Sequence, residues 1–139
     1  MNKKFIIAGL AGGVAYFLLG GLFYGKLLKD VMTSWEGTDP IKMKEMPDML
    51  PLVFGNMFMG FFIAYVFSKW AQISSFKSGL IAGAIIGLFI ITSFDLTMFG
   101  ISNTLNATGM IMDIALNTFM LALVGGVVGL VLGMIKDPK

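Results

Sequence analysis

Four long apolar runs alternate with shorter polar stretches along the chain. The runs cover residues 5–28, 49–68, 78–101 and 109–135, and the longest polar stretch, the loop 29–48, separates the first two. A helix needs about 20 apolar residues to cross the hydrocarbon core of a bilayer. The pattern therefore predicts an all-α fold: one integral membrane domain, residues 1–139, in which four transmembrane helices form a bundle.

Two lysines, Lys3 and Lys4, precede the first run, as in a secretory signal peptide. The run is longer than the apolar core of a typical signal peptide, and no clear A-x-A cleavage site follows it. We therefore expect the first run to be a retained transmembrane helix.

Small residues recur at every fourth position in each run. Residues four apart lie on the same face of a helix, and small residues on one face allow two membrane helices to pack closely. We expect these rows to be packing seams, and neighbouring positions such as Val128 to face lipid. The predicted seams contain Gly9, Gly13, Gly21 and Gly25 in the first run, Gly60 and Ala64 in the second, Gly79, Gly83 and Gly87 in the third, and Gly125, Gly129 and Gly133 in the fourth.

A few polar side chains interrupt the apolar runs. They are Asn56, Thr92, Asp95, Asp113 and Asn117. With a rise of 1.5 Å per residue, Asn56, Asp95 and Asp113 should lie roughly 6–9 Å below the same edge of the bundle. We therefore expect these side chains to meet in one cluster.

Two carboxylates in such a cluster need a proton, a cation or a basic partner. Lys26 or Lys29, at the end of the first run, is the nearest candidate for a salt bridge. Two interpretations are open. In the first, the cluster is structural and holds three helices together, with one of these lysines completing a salt bridge at the rim. In the second, Asp95 and Asp113 form an outward-facing site for a cation or a proton.

The composition removes several kinds of chemistry. The chain has no His and no Cys, its ten basic residues are all Lys, and its net charge is +2. Imidazole and thiolate metal ligands and His-activated nucleophiles are therefore absent, and no basic patch is present to bind nucleic acid. We expect no enzymatic activity, no cofactor and no nucleic-acid partner.

Methionines in the long loop offer one remaining metal chemistry. Met43, Met46 and Met49 follow one another at three-residue spacing. Thioethers select Cu(I), although methionine more commonly fills gaps in apolar packing. Cu(I) handling is therefore a remote alternative.

The lysines also bear on orientation. Six lie at the termini or in the short connection after the second run, and four lie on the opposite side: Lys3, Lys4, Lys69, Lys77, Lys136 and Lys139 against Lys26, Lys29, Lys42 and Lys44. Because lysines near the ends of membrane helices favour the cytoplasmic side, both termini are predicted to be cytoplasmic.

The chain resembles itself in two places. Residues 7–9 and 81–83 are both Ile-Ala-Gly, and Asn-Met-Phe-Met at 56–59 is similar to Asn-Thr-Phe-Met at 117–120. The matched runs would cross the membrane in the same direction, so these matches predict a parallel repeat of two helical hairpins. Chance similarity between apolar segments is the alternative.

Residues 17–26, Phe-Leu-Leu-Gly-Gly-Leu-Phe-Tyr-Gly-Lys, carry a resemblance to a known family. They are similar to the end of the first helix in the small bacterial inner-membrane proteins catalogued as domain of unknown function 1761. The four-span layout, with a longer first loop, is also similar across the whole chain. The resemblance implies a location in the bacterial inner membrane, and it implies no activity or site residues.

Two functions remain as expectations. The first is a non-enzymatic structural or accessory protein of the lipid bilayer, whose seams bind further copies of the chain or a larger membrane complex. The second is a small channel or carrier that moves a cation or protons through the polar residues of the spans.

Overall fold

The computed structural model describes residues 3–42 and 44–135, and four of its helices are long and apolar enough to cross a membrane. The helices are α1 (Lys3–Leu22, extended by a π-helical turn at Phe23–Leu27), the short α2 (Lys29–Met32, followed by a 3-10 turn at Thr33–Trp35), α3 (Met49–Tyr65, extended by a π-helical turn at Val66–Ala71), α4 (Phe76–Ile101) and α5 (Ala107–Met134). The predicted all-α bundle of four helices is confirmed. The length and apolar composition of these four helices are consistent with a multi-pass membrane protein.

The bundle consists of two hairpins that meet at α5. Helix α1 packs along α3, α4 packs along α5, and α5 also contacts α1 and part of α3. Half of the apolar span of α5 (50%) is buried inside the protein, against 22% in each of the other three spans. Helix α5 is therefore the central helix, and the other three expose broad apolar faces.

The apolar core lies where α1, α3 and α5 meet. Its buried members are Ala8, Ile63, Ala64, Phe67, Leu121, Val124, Val128 and Leu132. The prediction that Val128 faces lipid is wrong, because α5 packs against neighbours on several sides rather than through a single row of glycines. Val128 is fully buried, and its side chain lies against Gly12.

Glycines bring the helices of each hairpin into close contact. At most of these positions an added Cβ would overlap the backbone of the neighbouring segment, so only a glycine allows the observed separation of the helices. The contacts are Gly79 and Gly83 with Gly125, Gly9 and Gly13 with Gly60, Gly87 with the Leu121 side chain, Gly129 with Ser75, and Gly133 with Ser74.

The end of α1 departs from the predicted seam. Among the described residues, no atom lies within 4 Å of a Cβ added at Gly21 or Gly25, and both glycines are exposed. Each four-residue step turns about 40° further around the helix, so the row leaves the face that packs on α3. At this end, α1 contacts α5 through Tyr24 instead.

The two hairpins have an equivalent register. The sequence matches pair Gly13 with Gly87, and Gly60 with Leu121. In the structure Gly13 contacts Gly60, and Gly87 contacts Leu121. A parallel repeat would produce this arrangement, and duplication itself remains a prediction.

Two loops meet at one end of the bundle, which we call the long-loop end. The Gly37 N–H donates to the Thr104 carbonyl at 2.9 Å, and the Asn106 N–H donates to the Trp35 carbonyl at 2.9 Å. The Asn106 side chain also donates to the Ser34 carbonyl at 2.7 Å. These bonds fix the segment after α2 against the connection between α4 and α5, above the polar residues of the spans.

Candidate functional site

Asn117 on α5 is the centre of a buried polar cluster. Its amide nitrogen donates to the Tyr24 hydroxyl at 2.6 Å and to Asp113 Oδ2 at 3.0 Å. Its amide oxygen accepts a hydrogen bond from the Tyr16 hydroxyl at 3.3 Å. The Tyr24 hydroxyl donates in turn to Asp113 Oδ1. Two tyrosines of α1 and two polar residues of α5 thus form one network that joins these helices.

Asp95 reaches the same cluster from α4. Its side chain is only 6% exposed, and it interacts electrostatically with Asp113. Within the part of the chain that the structure describes, its buried Oδ2 has no hydrogen-bond partner. An ionised carboxylate can only accept hydrogen bonds, so two ionised groups cannot bond to each other. A proton or a cation shared by the pair would satisfy both.

The expected lysine partner is absent from this pair. Lys26 and Lys29 are both exposed, and neither makes an ion pair with a described residue. The place that a lysine was expected to take beside Asp113 is occupied by the Tyr24 hydroxyl. The prediction of a rim salt bridge is therefore wrong for these residues, because the two lysine side chains lie at the aqueous edge.

Two of the five predicted residues lie apart from the network. The amide of Asn56 donates to the Leu52 carbonyl of its own helix at 2.7 Å. Because α3 packs along α1, Asn56 does not meet the two carboxylates. The Thr92 hydroxyl is buried on α4 and makes no hydrogen bond to any described residue.

The sequence analysis missed both tyrosines. Tyrosine in membrane proteins is enriched at the interface, whereas Tyr16 lies near the middle of the span Lys3–Leu27. Tyr24 follows eight residues later, about 80° further around the helix. The spacing alone does not place both tyrosines against α5, although both hydroxyls bond to Asn117 there.

A cleft of about 280 Å³ opens beside the carboxylates at the long-loop end. The end of α4, the start of α5 and the segment 32–41 form its walls. Asp95, Asp113 and Glu36 contribute its acidic groups, and no described lysine lines it. The remaining lining is mostly apolar, with Trp35 and Phe99 among it. The cleft thus connects the carboxylate pair to the long-loop end.

The described residues do not bring the methionines at 43, 46 and 49 together into a metal site. Met46 and Met49 are 84% and 54% exposed, and Met43 lies outside the described residues. The described part of the chain also contains no group of three or more His, Cys, Asp or Glu side chains that could hold a metal. Cu(I) handling remains an untested prediction.

No protein-family model, no curated protein and no solved structure matches this chain. Its function is therefore argued from the polar cluster, the cleft and the exposed surface.

Proposed function

We propose that this protein is a small, non-enzymatic channel or carrier that binds a proton or a cation between Asp95 and Asp113. The observation that supports it is the buried Oδ2 of Asp95, which has no hydrogen-bond partner among the described residues and lies beside a second carboxylate. Ionisable groups inside membrane spans commonly mark ion or proton pathways. The cleft gives such an ion a route to the pair from the long-loop end.

A purely structural role explains Asp113 better than Asp95. Asp113 is bonded to Tyr24 and Asn117, so it contributes to the contact between α1 and α5. Asp95 can bond to Asp113 only if one of the two carboxylates carries a proton. A charged Asp costs about 2.5–3.5 kcal/mol at the centre of a membrane helix and less towards its ends. An ionised Asp95, six residues from the end of α4, would carry part of this cost, and packing alone supplies no reason to keep it. A bound proton or cation removes it.

The proposed location is the bacterial inner membrane, with both termini in the cytoplasm. The lysine distribution supports this orientation. The resemblance of residues 17–26 to domain of unknown function 1761 supports the bacterial inner membrane as the location. In this orientation the cleft and the carboxylate pair face outward.

Single-cysteine labelling tests the orientation, because the chain contains no cysteine of its own. Thr38→Cys at the long-loop end should react with a membrane-impermeant thiol reagent in intact cells. Ala71→Cys at the opposite end should react only after the membrane is permeabilised. Both positions are exposed in the structure. The reverse labelling pattern would place the cleft on the cytoplasmic side.

Thermal melting tests the ion site. A ligand that binds only the folded protein stabilises it by mass action, by about 2.7 kcal/mol at a concentration of 100 times Kd. We expect the melting temperature of the parent to rise with one cation or across one pH step. Asp95→Asn and Asp113→Asn should abolish that rise, whereas Asp48→Asn, in the exposed loop, should keep it. The proposal would be contradicted if the melting temperature of the parent depended on cations and on pH no more strongly than the melting temperatures of the two Asn variants.

A structural role in self-association is the second candidate, and the outer face of α1 favours it. Gly21 and Gly25 lie four residues apart, are exposed, and have no neighbour within 4 Å of an added Cβ in the described part of the chain. Paired small residues on an open helix face allow close packing of another membrane helix. If this face forms a homo-oligomer, Gly21→Leu should lower the mass of the native particle in lipid nanodiscs without lowering the melting temperature of the single chain.

A further inference from the structure

We infer that the cleft at the long-loop end binds an organic ammonium ion, with its charged head between Asp95 and Asp113 and its apolar body against the aromatic wall. This inference rests on the proposed cation site and names the class of ligand that fits it. Three features of the cleft support it: its charge, its lining and its set of oxygen donors.

The charge of the lining favours a cation. Asp95, Asp113 and Glu36 line the cleft, and no described basic residue does. Opposite charges attract several times more strongly in a partly buried site than in water, because the effective dielectric constant is lower. The buried Oδ2 of Asp95 has no hydrogen-bond partner among the described residues. An ammonium group beside the pair would neutralise its charge and donate to the carboxylates that line the cleft.

The apolar lining favours an organic cation over a hydrated inorganic ion. Trp35 is 5% exposed, and it lines the cleft together with Phe94, Phe99, Met98 and Met110. Ammonium groups bind favourably to aromatic faces, and methionine adapts to ligands of different shape. The volume of about 280 Å³ lies near the lower end of small-molecule sites, which is roughly 300 Å³. A one-ring ammonium compound is the appropriate size.

The oxygen donors do not suit a divalent metal. Calcium takes 6–8 oxygen ligands and magnesium needs a near-octahedral set. No described group of three or more acidic side chains is arranged to hold a metal. The hydroxyls of Ser102 and Thr104, which also line the cleft, are hydrogen-bonded to each other at 3.0 Å. An ammonium ion needs only the two carboxylates and the apolar wall.

Tryptophan fluorescence can measure this binding directly. The chain has two tryptophans. Trp35 lines the cleft, whereas Trp70 is 72% exposed and makes an edge-to-face contact with Tyr65 at the opposite end. In a Trp70→Phe background, benzylammonium should change the Trp35 emission in a saturable way. Ethylbenzene, which has nearly the same shape without the charge or the N–H groups, should bind at least about tenfold more weakly, because it cannot pair with the carboxylates.

Carboxylate variants in the same background complete the test. Asp95→Asn should weaken ammonium binding by about tenfold or more, and Asp113→Asn should do the same if it folds. Asp48→Asn, in the exposed loop, should leave binding unchanged. Equal affinity for the two probes, or full ammonium affinity in Asp95→Asn, would overturn the inference. If melting of the parent still depended on pH or inorganic cations through Asp95, the proposed ion site would stand with a different ligand. If that dependence were also missing, the proposed ion site and the inference about its ammonium ligand would both be wrong.

Discussion

Gly125→Leu is expected to destabilise the bundle strongly. Gly125 lies against Gly79 and Gly83, and even a Cβ at this position would overlap the backbone of α4. Because α4 contacts the rest of the protein mainly through α5, the added side chain must force the hairpin apart. Overpacking costs about 1–3 kcal/mol where side chains can adjust and more where they cannot. Thermal melting in detergent or nanodiscs should show the loss.

Gly55→Leu is the matched control for this prediction. Gly55 lies inside α3 and is exposed, and no atom of residues 3–42 or 44–135 lies within 4 Å of a Cβ added there. The substitution should keep or slightly raise the melting temperature, because Leu is a better helix former than Gly by about 0.5–1 kcal/mol. Equal effects of the two substitutions would mean that α4 and α5 do not pack through Gly125.

Asn117→Leu should have the second large effect. The substitution leaves the Tyr16 hydroxyl without its acceptor and removes one donor from both Tyr24 and Asp113. Each buried polar group that loses its partner costs about 1–3 kcal/mol, and more when it is charged. We therefore expect a loss of about 2–4 kcal/mol in the free energy of unfolding, measured by denaturant or thermal melting.

Asn56→Leu provides the control, because Asn56 occupies the matching position in the other hairpin. Its amide donates only to the Leu52 carbonyl of its own helix. Leu should therefore be tolerated there, with a change within about 1 kcal/mol. If Asn56→Leu were as damaging as Asn117→Leu, the network on α5 would not be the source of the effect.

The sequence was sufficient to predict the helices and the depth of the polar residues. Long apolar runs have a single stable form in a bilayer, so the four spans follow from their length. Counting residues from the loops gave Asp95 and Asp113 the same level, and the structure brings them together. The depth of a residue did not predict which side chains it contacts, because two residues at the same depth can point in different directions. Asn56 was therefore included and Tyr16 omitted.

The sequence did not predict which helices pack against each other. Rows of small residues occur on all four spans, so periodicity indicates a packing face without naming its partner. The central position of α5 depends on these partners, and it explains why Val128 is buried. Trp35 shows the same limit: it belongs to the polar stretch between the first two runs, yet it packs against Gly109 because the loop folds back over the start of α5.

The proposed function requires that a positive charge enters the protein and binds between Asp95 and Asp113. Transient currents from proteoliposomes on a solid-supported membrane measure such a charge displacement directly. A step in pH or in cation concentration at the long-loop end should produce a transient in the parent and in Asp48→Asn. Asp95→Asn and Asp113→Asn should lose it. The proposed binding of a positive charge at this pair would be contradicted if the parent gave no larger transient than the Asp95→Asn variant, both for protons and for cations.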